Sequence, residues 1–134
     1  MADKAVIYAS KLGRTRKTAK YVANGIKADI FDLKKQTVID LSGYKHIIFG
    51  TGIRAGKPFG SVVEFLDKNR DQLKGKKISL FLCCKFNEEK GSEQCKKVSE
   101  QLGIIDATFF PSGEKNEDGI SVKVDDYITA VSRR

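Results

Sequence analysis

The sequence predicts an α/β protein with a central parallel β-sheet that helices cover on both faces. Short and nearly continuous apolar segments alternate along the chain with segments in which apolar residues recur every three or four positions. The first kind is typical of strands buried on both faces, and the second of amphipathic helices. Because the 134 residues are 40% hydrophobic and include no linker rich in Pro, Gly or Ser, we expect a single domain spanning residues 1–134.

The first half of the chain predicts three strands and one helix. Residues 5–9 are apolar and few, as in a buried strand, and an apolar helix face begins at Thr15. Residues 28–33 and 46–51 are the second and third strands. Residues 34–45 leave room for only a short helix or an irregular crossover between these two strands.

The second half continues this alternation of helices and strands. The pattern predicts a helix over 59–73, a strand over 77–85, a helix with Ser92 as N-cap and Gly103 at its end, a strand over 104–110, and a short last helix from Asp125 or Asp126. The carboxyl ends of parallel strands meet at one edge of the sheet, and ligands bind there, where the strand order reverses.

A candidate phosphate-binding loop joins the first strand to the first helix. Ser10 and Thr15 supply hydroxyl groups, and Gly13 lets the backbone approach a ligand closely. Because the loop ends at a helix N-terminus, its free N–H groups and the positive end of the helix dipole favour a phosphate without a metal.

Basic residues in the first turn of this helix strengthen the case for an anion. Arg14, Arg16 and Lys17 lie where the helix dipole opposes each cation by about 0.3–1 kcal/mol unless an anion offsets it. A solvated basic face explains the charges alone. Together with the strand, the glycine and the hydroxyl groups, they favour an anion site.

Two further loops follow the third and fourth predicted strands. Residues 51–60 are rich in glycine and include Phe59, and residues 84–92 include Phe86. A phosphate loop beside two loops that each offer an aromatic ring suits a phosphorylated planar ligand. Either phenylalanine can instead be a core residue, because phenylalanine is commonly buried.

These loops resemble those of a known family. The segment Ser10-Lys-Leu-Gly-Arg-Thr15 resembles the phosphate loop of the flavodoxin family, hydroxyl-x-x-Gly-x-Thr. The segment Gly50-Thr-Gly-Ile-Arg-Ala-Gly56 is similar to the second loop of its relatives, especially menaquinone-dependent protoporphyrinogen dehydrogenases. The resemblance covers about residues 4–131 and implies a flavodoxin-like three-layer sandwich, with a five-stranded parallel sheet in the order 2-1-3-4-5 and non-covalent FMN.

The resemblance also implies which residues hold the cofactor. They are Ser10, Lys11, Leu12, Gly13, Arg14 and Thr15 at the phosphate, Thr51, Gly52, Ile53, Arg54, Ala55, Gly56 and Lys57 around one edge of the isoalloxazine ring, and Cys84, Lys85 and Phe86 on its other side. The chain departs from the family at Leu12, where many flavodoxins have threonine. It also lacks tryptophan, so only Phe59 and Phe86 are available for stacking on the ring.

Other sites are disfavoured by spacing. Pro58 stands where a Walker A loop needs a hydroxyl group, and the first turn lacks two of the three glycines of a dinucleotide-binding fingerprint, although Asp32 lies about where a ribose-binding acid would. His46, the only histidine, has no nearby cysteine or carboxylate cluster in the sequence, so we expect neither a metal nor a catalytic triad. The three cysteines fit no disulfide framework, and packing is the default role of Cys83 and Cys84.

The charge of the chain bears on its partners. The formal net charge is +8, with 25 basic and 17 acidic residues, whereas the electron-carrier flavodoxins it resembles are generally acidic. Arg54 and Lys57 would stabilise a reduced anionic flavin, which raises its potential and favours two-electron chemistry. A peptide flip at Gly52 or Gly56 would instead support one-electron transfer.

These observations predict an FMN-dependent redox protein that transfers electrons as a carrier or as a small oxidoreductase. One alternative is a protoporphyrinogen- or quinone-type dehydrogenase, and an alternative of another class is a basic binding module without flavin. The partner is expected to be an acidic redox protein or a small-molecule electron donor or acceptor, and no nucleic acid is expected. No apolar run approaches the about 20 residues of a membrane span, so we expect a cytoplasmic protein. Peripheral membrane contact and oligomeric state are left open.

Overall fold

The structure, a computed structural model, describes residues 3–10, 14–54, 57–83, 88–110 and 122–132. The strands in these ranges are β1 (Lys4–Ala9), β2 (Asp29–Asp32), β3 (His46–Arg54), β4 (Lys57–Pro58), β5 (Lys77–Cys83) and β6 (Asp106–Phe110). The helices are α1 (Arg14–Ile26), α2 (Gly60–Lys68), α3 (Arg70–Leu73), α4 (Glu88–Leu102) and α5 (Val122–Ser132).

Five parallel strands form the sheet in the order β2-β1-β3-β5-β6. The short β4 lies off this path and pairs with β3 in the antiparallel direction. Because the strand numbers include the short β4, strands β5 and β6 correspond to the fourth and fifth predicted strands. The observed order is therefore the predicted order 2-1-3-4-5, which the structure confirms. Ala9 at the end of β1 is level with Thr51 in β3, and Gly52 is level with Cys83 at the end of β5. The carboxyl ends of β1 and β5 therefore flank one segment of β3.

Two apolar clusters lie on the two faces of this sheet. Alternation along β1 sends Ala5 and Ile7 to one cluster and Val6 and Tyr8 to the other, as the period of two in a strand requires. The first cluster includes the buried faces of α2 and α4, and the second those of α1 and α5. The predicted three-layer arrangement, with helices on both faces of the sheet, is therefore confirmed.

Helix α1 has a well-defined C-terminal end. Its buried face is formed by Ala19, Val22, Ala23 and Ile26. The Ala28 amide donates to the Ala23 carbonyl at 2.9 Å, and Lys27 between them adopts a left-handed conformation with φ of 56°. Glycine usually occupies this position, because a Cβ atom there crowds the backbone.

Residues 34–45 take the irregular of the two expected crossovers. Three helix boundaries differ from the sequence-based expectation. The helix predicted over 59–73 ends at Lys68, and the side-chain amide of the C-cap residue Asn69 donates to the Phe65 carbonyl at 2.8 Å before α3 begins. Helix α4 begins before Ser92, and α5 before Asp125. The predicted strand over 77–85 is described only to Cys83.

No helix within the described ranges combines the length and the apolar character that crossing a membrane requires.

Candidate functional site

The first predicted segment lies where β1 passes into α1. Ser10 follows the last residue of β1 and is half-buried, and Thr15 is in the first turn of α1 with 4% of its surface exposed. Arg14 is the first residue of α1. Lys11, Leu12 and Gly13 lie outside the described residues. The hydroxyl-bearing ends of the predicted phosphate loop are thus at the carboxyl edge of the sheet.

Gly52 brings the first and second predicted segments together. A Cβ atom added to Gly52 would lie 3.3 Å from the Thr15 hydroxyl oxygen and 3.0 Å from the Phe59 ring. Both distances are shorter than ordinary carbon contacts, so a larger residue at this position would displace one of its neighbours. The missing side chain therefore lets Thr15 and Phe59 pack closely against the backbone of β3, at the point where the strand order reverses between β1 and β3. We call this close contact at Gly52 the cradle.

Thr51 fixes the geometry of this cradle. Its side chain is fully buried, and its hydroxyl donates to the Gly52 carbonyl at 2.8 Å and accepts from the Phe59 amide at 3.0 Å. The first bond lies within β3, and the second ties that strand to the residue that precedes α2. A peptide flip at Gly52, one of the two positions considered from the sequence, would have to break the first of these bonds.

Phe59 combines the two roles that the sequence left open. Its half-buried side chain packs against the apolar cluster beneath α2 and α4, as a core residue does. The edge of the same ring lies against Gly52. Phe59 thus forms one wall of the cradle while it anchors the start of α2.

The second predicted segment is largely a β-hairpin and not a loop. Strand β3 continues to Arg54, and the antiparallel register places Ile53 opposite Pro58 and Arg54 opposite Lys57. Ala55 and Gly56 lie outside the described residues. The spacing was a usable signal, because two residues ending in glycine between paired positions are typical of a tight hairpin.

The third predicted segment, Cys84, Lys85 and Phe86, lies outside the described residues. Cys83 immediately before it is the last described residue of β5 and is buried in the cluster on the α1 and α5 face. The expected packing role of Cys83 is therefore confirmed. The register with Gly52 shows that β5 ends beside the cradle.

Sequence reasoning missed a polar cluster next to the first segment. Burial and the neighbouring Asp32 carboxylate raise the pKa of Tyr8, and the nearby Arg16 acts in the opposite direction. Asp32 also accepts from the Lys34 amide at 2.9 Å, so this candidate ribose-binding acid is engaged in local contacts. Nothing in the sequence predicts a polar contact at Tyr8, because this residue lies in an apolar segment typical of a buried strand.

His46 is connected to a carboxylate that the sequence did not bring near it. Its Nε2 atom lies 2.7 Å from the Ser79 hydroxyl oxygen, and Ser79 donates to Asp106 at 2.6 Å. Because that hydroxyl has one proton, which Asp106 accepts, the proton between His46 and Ser79 belongs to Nε2. This series of hydrogen bonds starts at the first residue of β3, whereas Gly52 lies near the other end of the same strand. Within the described part of the protein, no group of three or more His, Cys, Asp or Glu residues is placed to hold a metal.

The chain is similar to a curated protein and to several solved structures. It is 41% identical over 54 residues to an uncharacterized protein of Methanocaldococcus jannaschii, an overlap of 40% of this chain and 36% of that protein. Oxidised Flavodoxin 2 of Bacillus cereus matches 98% of this chain and 99% of its own, with a TM-score of 0.73 and 19% identity.

Two further solved structures share the fold. Rubredoxin oxygen:oxidoreductase of Desulfovibrio gigas matches 98% of this chain with a TM-score of 0.71 and 15% identity, but the match spans only 36% of that longer protein. A flavoprotein of Lactobacillus acidophilus, solved in complex with FMN, matches 80% of this chain and 92% of its own, with a TM-score of 0.65 and 15% identity.

A family model supplies the stronger assignment. The model described as Flavodoxin domain matches residues 5–113, which run from the second residue of β1 through β6. The match therefore contains the cradle at Gly52, the turn from β1 into α1 and the hairpin formed by β3 and β4. The chain belongs to the flavodoxin-domain family.

Proposed function

We propose that this protein binds FMN and transfers electrons, either as a carrier or as a small oxidoreductase. The observation that carries the proposal is the cradle at Gly52, where the Thr15 hydroxyl and the Phe59 ring meet a residue without a side chain. A flavoprotein with the same fold was solved with FMN bound. We further propose that the flavin-binding unit is a single domain over residues 1–134 and that it works in the cytoplasm.

The residues at the start of α1 fit a phosphate group. The described first turn of this helix carries no acidic residue, and Thr15 brings a hydroxyl group into that turn. An anion there would be stabilised by the amides, the hydroxyl and the helix dipole. Ser10 and the segment 11–14 complete the proposed phosphate site.

The hairpin and the third segment fit the ring of the cofactor. FMN would supply reversible one- and two-electron redox chemistry at this position. The hairpin register pairs two residues of cationic type, Arg54 and Lys57, and positive charge close to a flavin favours its anionic reduced form. We propose that Thr51 to Lys57 surround one edge of the ring and that Cys84 to Phe86 contact its other side.

Flavin titration tests the cofactor. FMN fluorescence should be quenched with a stoichiometry of one per chain. Gly52→Ala should weaken FMN binding by about tenfold or more, because its methyl group would displace Thr15 or Phe59. Gly60→Ala is the matched control, because a Cβ atom at Gly60 would meet nothing within 4 Å. A wild-type protein that ignores FMN would overturn the proposal and leave the basic binding module as the better description.

Potentiometry tests the proposed role of the hairpin cations. The flavin should be reduced in a single two-electron wave, and Arg54→Gln/Lys57→Gln should lower its midpoint potential, since the positive charge that favours the reduced form is removed. Separate one-electron waves in the wild type would contradict the two-electron assignment. They would support a carrier that uses a peptide flip elsewhere in the hairpin.

A further inference from the structure

Of the five helices that the structure describes, only α1 has more basic than acidic residues. Helix α1 has four basic residues and no acidic residue. In each other helix, acidic residues equal or outnumber basic ones: α2 has two acidic and one basic, α3 one of each, α4 four and three, and α5 two and one. Helix α1 therefore carries a formal charge of +4, whereas the other four described helices together carry −3.

The basic residues of α1 share one exposed side. Arg16, Lys17 and Lys20 are exposed, and Lys27 is exposed immediately after the last turn. At 3.6 residues per turn, the three helical positions fall within an arc of about 100°. The opposite side of the helix packs into the cluster on the α1 and α5 face of the sheet. We call the exposed residues Arg16, Lys17, Lys20 and Lys27 the α1 basic face.

Ion pairing distinguishes this face from the other helical layer. On α2, α3 and the turn after them, three basic side chains form ion pairs with acids three or four positions away. The N to O distances are 2.8 Å for Lys68 and Glu64, 3.2 Å for Arg70 and Asp67, and 3.6 Å for Lys74 and Asp71. Among the described side chains, none of these ion pairs includes the α1 basic face. Acids of β2 and α5 do border this helix, because Arg16 lies near Asp32 at Tyr8 and Tyr21 donates to Asp125. The positive field of the face therefore comes mainly from Lys17, Lys20 and Lys27.

The end of α1 keeps a cation where glycine would relieve strain. Of the described residues with positive φ, two are glycines, Gly75 and Gly103, and the third is Lys27. A left-handed conformation costs a residue with a Cβ atom roughly 1–2 kcal/mol. The strained lysine extends the α1 basic face along the whole length of the helix.

The position of α1 suggests which molecule this face binds. The helix begins at the proposed phosphate loop, so the Arg16 and Lys17 end of the α1 basic face lies next to the proposed cofactor site. Opposite charge on two redox proteins steers encounter and fixes orientation, and a long positive face matches a negatively charged protein surface. We propose that the α1 basic face is the docking surface for an acidic electron-transfer protein. This inference rests on the proposed function, because docking here would bring the partner beside the flavin.

The test compares two equal changes of charge on opposite layers. Lys20→Glu/Lys27→Glu reverses two charges of the α1 basic face away from the proposed phosphate site. Lys96→Glu/Lys97→Glu reverses two exposed charges on α4, in the other helical layer. Both variants lower the net charge equally, so a difference between them reports position and not total charge.

Binding is measured with a dye-labelled plant-type ferredoxin, a small acidic iron–sulfur protein, by fluorescence anisotropy at about 20 mM and about 300 mM salt. The α1 variant should bind about tenfold or more weakly at low salt and the α4 variant less than about twofold, with the difference lost at high salt. Lys20→Gln/Lys27→Gly, which removes the charges and relieves the strain at the helix end, should weaken binding by about threefold even if the reversed variant folds poorly.

Three results would overturn the docking proposal. They are a wild-type protein that does not bind the ferredoxin at low salt, equal losses in the α1 and α4 variants, and tighter binding of a duplex DNA with the same dependence on the α1 face. FMN titration is run on each variant in parallel. Because ferredoxin binding is measured whether or not flavin is bound, failure of the docking surface and failure of the flavin assignment give separate results.

Discussion

The amide of Phe59 donates a hydrogen bond to the hydroxyl oxygen of Thr51 at 3.0 Å, which joins two points separated by the whole β3–β4 hairpin. The same hydroxyl donates to the Gly52 carbonyl at 2.8 Å. One buried side chain therefore holds the start of α2 against the strand that carries the cradle. This geometry makes Thr51 a positioning residue for the proposed flavin site.

Replacing Thr51 with valine should loosen this connection without changing its volume greatly. Thr51→Val leaves the Gly52 carbonyl and the Phe59 amide without their partner, which should lower the free energy of unfolding by about 1–3 kcal/mol and weaken FMN binding. Urea denaturation and flavin titration measure the two effects. Thr51→Ser keeps the hydroxyl and should retain most of the FMN affinity. Equal FMN affinity in the valine variant and the wild type would show that the bonds do not position the site.

Local signals predicted the part of the fold that leads to the site. An apolar run followed by hydroxyl groups, a glycine and a helical period placed β1 and α1 correctly, because each of these signals depends on neighbouring residues only. The hairpin was missed, since glycine and proline in residues 51–60 also suit a loop. The interruption at Asn69 was missed because Leu66 and Leu73 keep the helical spacing across it.

Nonlocal contacts account for the remaining differences. Tyr8, Asp32 and Arg16 come from three elements, and only the pairing of β1 with β2 beneath α1 brings them together. The chain from His46 through Ser79 to Asp106 likewise crosses three strands. Neither set has a spacing in the sequence that distinguishes it from chance.

The hydroxyl of Thr15 provides a test of where the phosphate binds. Thr15→Val should weaken FMN binding by about tenfold, because a charge-assisted hydrogen bond contributes about 1.5–3 kcal/mol. Binding of riboflavin, which has no phosphate, should change much less. Thr18→Val removes a buried hydroxyl in the same helix outside the predicted site and is the matched control. An equal loss for FMN and riboflavin would place Thr15 near another part of the ligand.

Tyr44 should make the protein less stable in alkaline solution. Its buried hydroxyl donates to Asp29 at 2.6 Å, and burial, followed by this bond, raises its pKa from 10.0 to about 12. Between these values the unfolded chain loses the proton while the folded chain keeps it, so stability falls by up to about 1.4 kcal/mol per pH unit. Below pH 10 this contribution is fully present.

The variant Tyr44→Phe isolates that titration. It should cost about 0.5–1.5 kcal/mol near neutral pH, where the hydrogen bond is lost, and then lose less stability than the wild type as the pH rises. The raised pKa of Tyr8 acts in the same direction, so a smaller alkaline loss should remain. Urea unfolding at a series of pH values gives both curves. Parallel curves above pH 10 would show that Tyr44 titrates alike in the folded and unfolded chains.

A methyl group at Gly50 should destabilise the fold, because the space that its Cβ atom needs is already occupied. It is level with Phe81 on the neighbouring strand, and a Cβ atom would lie 2.7 Å and 2.8 Å from two carbons of that fully buried ring. Phe81 cannot retreat easily, because its ring also packs against Phe110 at 5.6 Å and Tyr127 at 6.3 Å between centroids. Gly50→Ala should therefore lower the free energy of unfolding by about 1–3 kcal/mol or more.

Phe81→Leu makes room at the same contact, so the double variant should lose less stability in urea denaturation than the sum of the two single changes. Additive losses of stability would mean that the Phe81 ring does not limit the size of the side chain tolerated at position 50.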